Sequence, residues 1–488
     1  MIMKVTVITP RKTQIIEVNE GQNLLEGLRD RGIIIPADCG GRGTCGKCSA
    51  KLVSGSIDAD IKNGYFNCCQ GYIKEDVSIE LPDYSGTAFF AAETKGEYQT
   101  DGADGFGLVV DIGTTSVAAY LCDLKNGKVT DGMGELNRQI GFGADVLSRI
   151  SASGKHLQTL CNIINAQIED IKKRFCIKHG ISGISKTVIC GNNTMLHLLL
   201  GRSPQSMGQA PFTPLFTSAV YNDNYITLPS ASAYIGSDIV AGALACGMFG
   251  SSENALLIDI GTNGEILLKH NGKYYAASAA AGPALEGGNI ECGMGGAAGA
   301  IDHVYYSGGS LTYTTIGGGE AKGICGSGLV DLISILLKTN VVDISGRLDG
   351  LGTPLSERIR DARFYITDKV YLSQKDIREY QLAKSAIHSA TEVLLIKAGC
   401  DISELSKVYL AGGLAYHLDR QSAAHTGLIP CRLKDKTITV GNAAGKGAIM
   451  CLLKEKLIGE CGRIADIINV TELDDGLFYE LFIKNMSF

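Results

Sequence analysis

Three cysteines stand among glycines in D-C-G-G-R-G-T-C-G-K-C, residues 38–48, at Cys39, Cys45 and Cys48. Their spacing is C-x5-C-x2-C, and a fourth thiol is available from C-C-Q at 68–70. Iron–sulfur clusters are held by deprotonated thiolates, and a [2Fe–2S] centre takes four of them. Glycines 40, 41, 43 and 46 let the loop wrap a cluster and aim N–H groups at its sulfurs, which tunes the reduction potential. Structural zinc is the rival, but it usually takes two C-x2-C knuckles or a Cys/His mixture. Here there is one C-x2-C, no histidine nearby, and Cys68 and Cys69 are adjacent. Free cysteines in a turn would leave the glycines without a purpose. The pattern favours an electron carrier.

A second chemistry begins at D-I-G-T-T-S, residues 111–116. It follows one apolar strand and precedes another, so it predicts a hairpin turn rather than the strand-to-helix turn of a Walker loop, whose G-x-x-x-x-G-K-[ST] is absent. Gly113 and the hydroxyls of Thr114, Thr115 and Ser116 can offer donors to phosphate oxygens. Asp111, at the strand end, can hold Mg2+ through water, since that ion needs only one or two carboxylates. D-I-G-T-N-G-E at 259–265 repeats the design, with Asp259 matching Asp111 and Gly261, Thr262, Asn263 and Gly264 as the second phosphate turn. Glu265 is a candidate for orienting an attacking water, a task that calls for a fixed carboxylate; pairing on a strand is the plainer role for it. In V-Y-L-A-G-G-L-A-Y-H-L (408–418), Gly412 and Gly413 would let backbone lie against an adenosine. T-V-I-C-G-N-N-T (187–194) and V-G-N-A-A-G-K-G (440–447) have the same shape, although close strand–helix packing alone also accounts for such glycines.

These motifs need elements to hold them. The chain has 488 residues, 45% hydrophobic and 20% charged, which implies a folded protein of two or three domains. A net charge of −6 argues against a general nucleic-acid binder. No apolar run approaches the roughly 18–20 residues of a membrane span, and the N-terminus alternates like a strand rather than a signal peptide. Sixteen cysteines without a secretory signature imply a reducing, cytoplasmic setting. Residues 1–82 predict a small β-grasp unit: a hairpin, a short helix ended by Gly32, the cysteine loop and late strands. Residues 83–105 lack periodicity and are expected to be a linker, about 23 residues long with a reach of roughly 25 Å as a flexible coil; docking of its two phenylalanines on a neighbour is the alternative. From 106 to 488, strands alternate with helices. G-L-V-V-D-I-G (107–113) recurs as A-L-L-I-D-I-G (255–261), which predicts two α/β lobes, roughly 106–252 and 253–488, around a cleft. Long helices are expected at 144–178, interrupted near Gly154, and at 375–398. His197, in T-M-L-H-L-L-L, reads as a core histidine. Cys292 and Cys325 flank glycines, and a second metal site there is the minor reading.

The cysteine loop resembles that of [2Fe–2S] ferredoxins of the C-x5-C-x2-C kind, in which the fourth ligand sits in a Cys-Gln pair; the resemblance selects Cys69 and leaves Cys68 a bystander. The paired hairpins with a glycine-pair motif resemble the superfamily of acetate and sugar kinases, Hsp70 and actin, which implies an actin-like fold binding ATP with Mg2+. The whole chain resembles the reductive activators of corrinoid-dependent enzymes. G-N-N-T-M-L-H-L-L-L-G, Y-I-G-S-D-I-V-A-G, L-L-I-D-I-G-T-N-G-E, A-A-G-P-A-L-E-G-G, G-I-C-G-S-G-L-V-D and L-A-G-G-L carry the likeness. It implies one-electron, ATP-driven reduction of a corrinoid protein from Co(II) to Co(I), fed by an upstream low-potential donor, with neither nucleic acid nor membrane as partner; a homodimer is compatible with it. Described members often carry a further domain after the cluster domain, where this chain has only its linker. A small-molecule kinase with a regulatory ferredoxin domain and an ATP-binding redox sensor are the alternatives. Activators of 2-hydroxyacyl-CoA dehydratases hold their cluster inside the ATPase fold, unlike the arrangement expected here.

Overall fold

The computed structural model describes residues 1–10, 12–82, 88–89 (main chain only), 96–350 and 352–488. Ile2–Ile8 pairs antiparallel with Thr13–Asn19 as the alternation predicts. Met3, Val5 and Val7 point inward because successive strand side chains alternate faces. The helix Leu24–Asp30 starts at Asn23, whose side chain accepts the Glu26 N–H. It buries Leu24, Leu25 and Leu28 in the core of this unit. Val77–Glu80 enters parallel to the first strand, so that five strands and one helix form a β-grasp sheet.

The two apolar strands singled out by repetition open two sheets of one plan. In the first, Phe106–Ile112, Ser116–Asp123 and Lys128–Leu136 run antiparallel, and Lys186–Gly191 and then Ile226–Thr227 extend the other edge in parallel. In the second, Ala255–Ile260, Gly264–His270 and Lys273–Ala279 are followed on the other edge by Lys407–Ala411 and Thr437–Gly441, in the same senses. Leu108, Val109 and Val110, and likewise Leu256, Leu257 and Ile258, are fully buried, as befits central strands covered on both faces.

The two cores interlock. Helix Ser237–Ala245 comes from the first half yet packs on Ala255–Ile260 and Gly264–His270. Helix Ala443–Leu453 comes from the second half yet packs on Phe106–Ile112 and Lys186–Gly191. One apolar cluster therefore joins Val109, Val188, Leu257, Leu267, Ala443 and Ile449. The long helices run Val146–His179 and Gln374–Ala398; the break in the first falls at His156, two residues beyond Gly154.

Residues 83–87 and 90–95 of the expected linker lie outside the described residues. Ala88–Phe89 adds an edge strand to Lys128–Leu136. From Gly96 onward the expectation of free coil is corrected. Tyr98 N–H donates to the Gly127 carbonyl, Asp101 N–H to that of Leu453, and the Thr100 hydroxyl to that of Leu124. Each bond ties the chain to the first sheet or to the helix behind it, because these backbone groups find partners there. The β-grasp unit is itself docked: Arg29, 4% exposed, donates to the Gly141 carbonyl, and Ala144 N–H donates to that of Asp38 at 3.0 Å. No helix among the described residues is long and apolar enough to cross a membrane.

Candidate functional site

The cysteine loop is built by backbone that only glycine adopts easily. Gly40, Gly41, Gly43 and Gly46 all have positive φ, between 67° and 102°. The loop folds back so that Cys39 meets Cys45 and Cys48 meets Cys69, sulfur to sulfur. Burial would push the Cys39 thiol up, but N–H groups of Thr44, Cys45 and Gly41 aim at its sulfur and hold it down at about 6. Burial pushes Cys69 up to about 12, helped by the neighbouring Cys48 and Cys39 sulfurs. Backbone N–H groups aimed at the Cys39, Cys45 and Cys69 sulfurs suit an anionic thiolate cluster. Cys68 is wholly buried in the core of the unit, beside Cys48 and Cys69. The loop edge at Arg42, Thr44, Gly46 and Lys47 stays exposed.

The two D-I-G-T turns face each other across the interlobe cleft. The hydroxyls of Thr115 and Thr262 stand 3.2 Å apart, and both donate to the Glu286 carboxylate, Thr115 at 3.0 Å. Asp111 accepts from Asn442 Nδ2 at 2.8 Å, while the Asn442 oxygen accepts the Gly445 N–H and caps helix Ala443–Leu453. Asn192 repeats this on the neighbouring turn: it donates to the Thr114 hydroxyl at 3.1 Å and caps helix Asn193–Leu199 through the Met195 N–H. Two helix N-termini thus point at the cleft, an arrangement suited to anions. Gly412, at φ 101°, lets its strand end lie against the Ile260 carbonyl and Asp259, so close packing accounts for it; Gly413 meets nothing and stays open to the cleft.

Asp111, Asp238, Asp259, Glu265 and Glu286 line this cleft, and no lysine or arginine does among the described residues. Burial pushes Asp111 up to about 6, against the Asn442 amide and Cys190 thiol that pull it down. Burial and then Asp111 push Asp238 up to about 7. Burial, then Asp238, Asp111 and Glu286, push Asp259 up to about 8. Burial and the same crowd of carboxylates raise Glu265. These carboxylates thus crowd one cleft with no side-chain cation beside them to offset their charge. The cavity is about 160 Å³, while ligand pockets run to about 300–1,000 Å³. The Thr115–Glu286–Thr262 bridge spans the two lobes at this cavity. A larger, shallow groove lies away from both turns, between the helix surface at Asn165–Cys176 and residues 182–184 and 224–225.

The acidic cleft has a measurable consequence. An unfolded aspartate titrates near about 4, so between that pH and about 8 the folded, metal-free protein binds more protons than the unfolded chain. Stability then falls as pH rises. In EDTA, the melting temperature should drop by about 5 °C or more from pH 5.5 to pH 8, and millimolar Mg2+ should restore it at pH 8. Melting curves indifferent to both pH and Mg2+ would contradict this reading of the cleft.

Of the residues singled out in the sequence, the structure gathers Cys39, Cys45, Cys48 and Cys69 in one loop cluster. It gathers Asp111, Gly113, Thr114, Ser116, Asp259, Gly261, Thr262, Asn263, Glu265, Gly412 and Gly413 in one cleft, with Thr115 on the bridge and Gly264 at the adjoining strand start. His197 is a core residue: Nδ1 meets the Asn193 carbonyl, Nε2 accepts the Leu215 N–H, and the ring stacks on Phe216. Cys292 and Cys325 do not converge; their thiols donate to the carbonyls of Lys369 and Ile301, and neither belongs to a group of converging metal ligands among the described residues. Asp238, Glu286, Asn192 and Asn442 were not assigned roles from the sequence. Each lies in a motif quoted above, and the two asparagines carried a usable signal, being helix-capping residues directly after an apolar strand and glycine.

Known protein families match nearly the whole chain. Residues 8–74 match a 2Fe-2S iron–sulfur cluster binding domain, 106–251 the RACo middle region, and 253–488 the C-terminal ASKHA domain of RACo. The chain is similar to the corrinoid activation enzyme RamQ of Eubacterium limosum, 35% identical over 78% of this chain and 70% of that one. It is 23% identical to the [Co(II) methylated amine-specific corrinoid protein] reductase of Methanosarcina barkeri, over 75% of this chain and 72% of that protein. A solved reductive activator for corrinoid, iron–sulfur protein superposes with a TM-score of 0.72 and 27% identity, covering 99% of this chain and 98% of the other. The chain belongs to the RACo family, in which a [2Fe–2S] domain is joined to an ATP-binding domain of the actin-like ASKHA fold.

Proposed function

We propose that this chain is an ATP-dependent reductive activator of a corrinoid protein, returning Co(II) to Co(I) by adding one electron. The observation that carries this reading is the docking of the four-sulfur loop onto the segment that backs the first phosphate turn. The shared segment gives the electron carrier and the nucleotide cleft a direct path by which one can act on the other. When bound, the cluster supplies electrons one at a time at low potential. Cys39, Cys45, Cys48 and Cys69 would hold it, and the exposed edge at Arg42 and Lys47 faces the redox partners. An upstream low-potential donor must reload the centre, in a cytoplasm where thiols stay reduced.

In the cleft, Asp111 and Asp259 would organise Mg2+, while the turns 113–116 and 261–264 offer hydroxyls and N–H groups to phosphate. Glu265, paired across from Asp259 on the adjoining strand, would orient the attacking water. Each 100 mV of uphill transfer costs roughly 2.3 kcal/mol per electron. A clamp that binds ATP preferentially in one lobe arrangement can supply that by shifting populations.

The test mixes reduced protein, Mg-ATP and an isolated Co(II) corrinoid protein of a methyltransferase system, and follows the visible spectrum. Co(I) should accumulate with ATP and remain at background without it. Equal conversion with and without ATP would remove the coupling. Appearance of a phosphorylated small molecule in place of Co(I) would favour a kinase.

A further inference from the structure

Between the phosphate turn and the cysteine loop lies a single short segment, 137–144, whose two faces bond to the two sites. On one face, Asn137 N–H donates to the Thr115 carbonyl at 2.9 Å and Asn137 Nδ2 to the Gly113 carbonyl at 2.8 Å. On the other, Ala144 N–H donates to the carbonyl of Asp38, the residue before Cys39. Ile140 accepts the Ala37 N–H at 3.5 Å, and the Arg29 guanidinium lies 4.8 Å over the Phe142 ring. At Gly141 a side chain would press on Ile34 and stand 2.9 Å from the Ile35 carbonyl, so only glycine lets the cluster unit come this close.

Arg149 ties the two faces together. Its side chain is fully buried. Nη2 donates to the Thr114 carbonyl at 2.8 Å, Nε to the Gly143 carbonyl at 2.7 Å, and Nη1 to Gln139 Oε1 at 3.1 Å. The carbonyls of 113, 114 and 115 are thus all held from behind by this segment and its brace, while the hydroxyls of the same turn face the nucleotide cleft. Every acceptor of this buried guanidinium is neutral apart from the nearby influence of Asp145 and Asp38. A buried charge held in this way is costly, and setting register is its best-attested use. The rigid planar fork fixes the Thr114 and Gly143 carbonyls at one spacing, which a lysine cannot do.

We propose that Arg149 is a positioning residue for electron transfer: it makes the phosphate turn and segment 137–144 move as one body, so that nucleotide occupancy changes how the cysteine loop is docked. The inference rests on the functional reading above and names the part that would couple its two halves. A phosphate entering the turn displaces Thr114, Arg149 carries the displacement to Gly143, and the Ala144–Asp38 bond, one residue from Cys39, takes it up.

The test is hydrogen–deuterium exchange on the oxidised, cluster-loaded protein, with and without Mg-ATP and with no corrinoid protein present. Nucleotide should change exchange in peptides covering 37–41 and 137–149 by about fivefold or more. In Arg149→Lys, calorimetry should still detect Mg-ATP binding, while the response of 37–41 disappears. Arg29→Ala, on the cluster unit's own side, should lose the response at 37–41 and keep it at 137–149; it carries the test if Arg149→Lys does not fold. Nucleotide that binds the native protein without altering 37–41, or a full response there in either variant, overturns the proposal. A native protein that binds no nucleotide defeats the functional reading, a result distinct from binding without response.

Discussion

Cys69→Ala protein should be isolated without the EPR signal of a reduced [2Fe–2S] centre, whereas Cys68→Ala should keep it. The two residues are neighbours in sequence but not in environment. Cys69 is partly exposed and meets the Cys48 sulfur, facing the loop that carries Cys39 and Cys45. Cys68 has no exposed surface and packs with Phe66, Ile73 and the helix leucines. Removing it leaves a small cavity costing about 1 kcal/mol, which lowers the melting temperature slightly. Removing Cys69 takes away one of four thiolates, and corrinoid reduction should fall by about 10³-fold or more while nucleotide binding persists. Iron content and EPR on the two purified variants decide it. A cluster retained in Cys69→Ala and lost in Cys68→Ala would exchange the two assignments.

The second large effect is in the cleft. Asp259→Asn should cut ATP-dependent Co(I) formation by about 10²–10³-fold, since phosphate chemistry generally depends on a cation clamp, the role proposed for Asp259. The same change should stabilise the metal-free protein at pH 8 by a few degrees. Asp259 is buried with Asp238, Asp111, Glu265 and Glu286, and asparagine keeps its shape without adding charge to that crowd. Loss of activity together with a gain in apo stability is the mark of a residue kept for function. The cluster spectrum should be unchanged. If activity survives and apo stability falls, Asp259 is structural and the cation sits elsewhere.

Much of this protein is legible in its sequence because the decisive signals are local. The C-x5-C-x2-C spacing and its glycines specify a loop of positive φ angles, which folds back to bring the Cys39 and Cys45 sulfurs together. Strand-turn-strand patterns at 107–118 and 255–268 specify hairpins, and their repetition specifies two sheets of one plan. The core role of His197 follows from an apolar helix around it, and its ring nitrogens are both satisfied there.

Other features depend on segments far apart in the chain. Asp238 and Glu286 enter the cleft only because helix Ser237–Ala245 crosses to the second sheet and the 283–287 turn reaches back to Thr115. The linker looked free because its composition lacks periodicity, yet residues 96–105 find partners at 124, 127 and 453 that no local pattern announces. Arg149 is one charged residue on a long helix, unremarked in sequence; burial and acceptors on the turn, the brace and Met195 give it a role. What the sequence determined by itself was the pair of chemistries, since thiol spacing and phosphate turns are written within a few residues. What only the tertiary structure decided was how they are joined, because the bond linking residue 149 to 114 exists only once the first lobe has folded, and that linking 144 to 38 only once the two domains have packed.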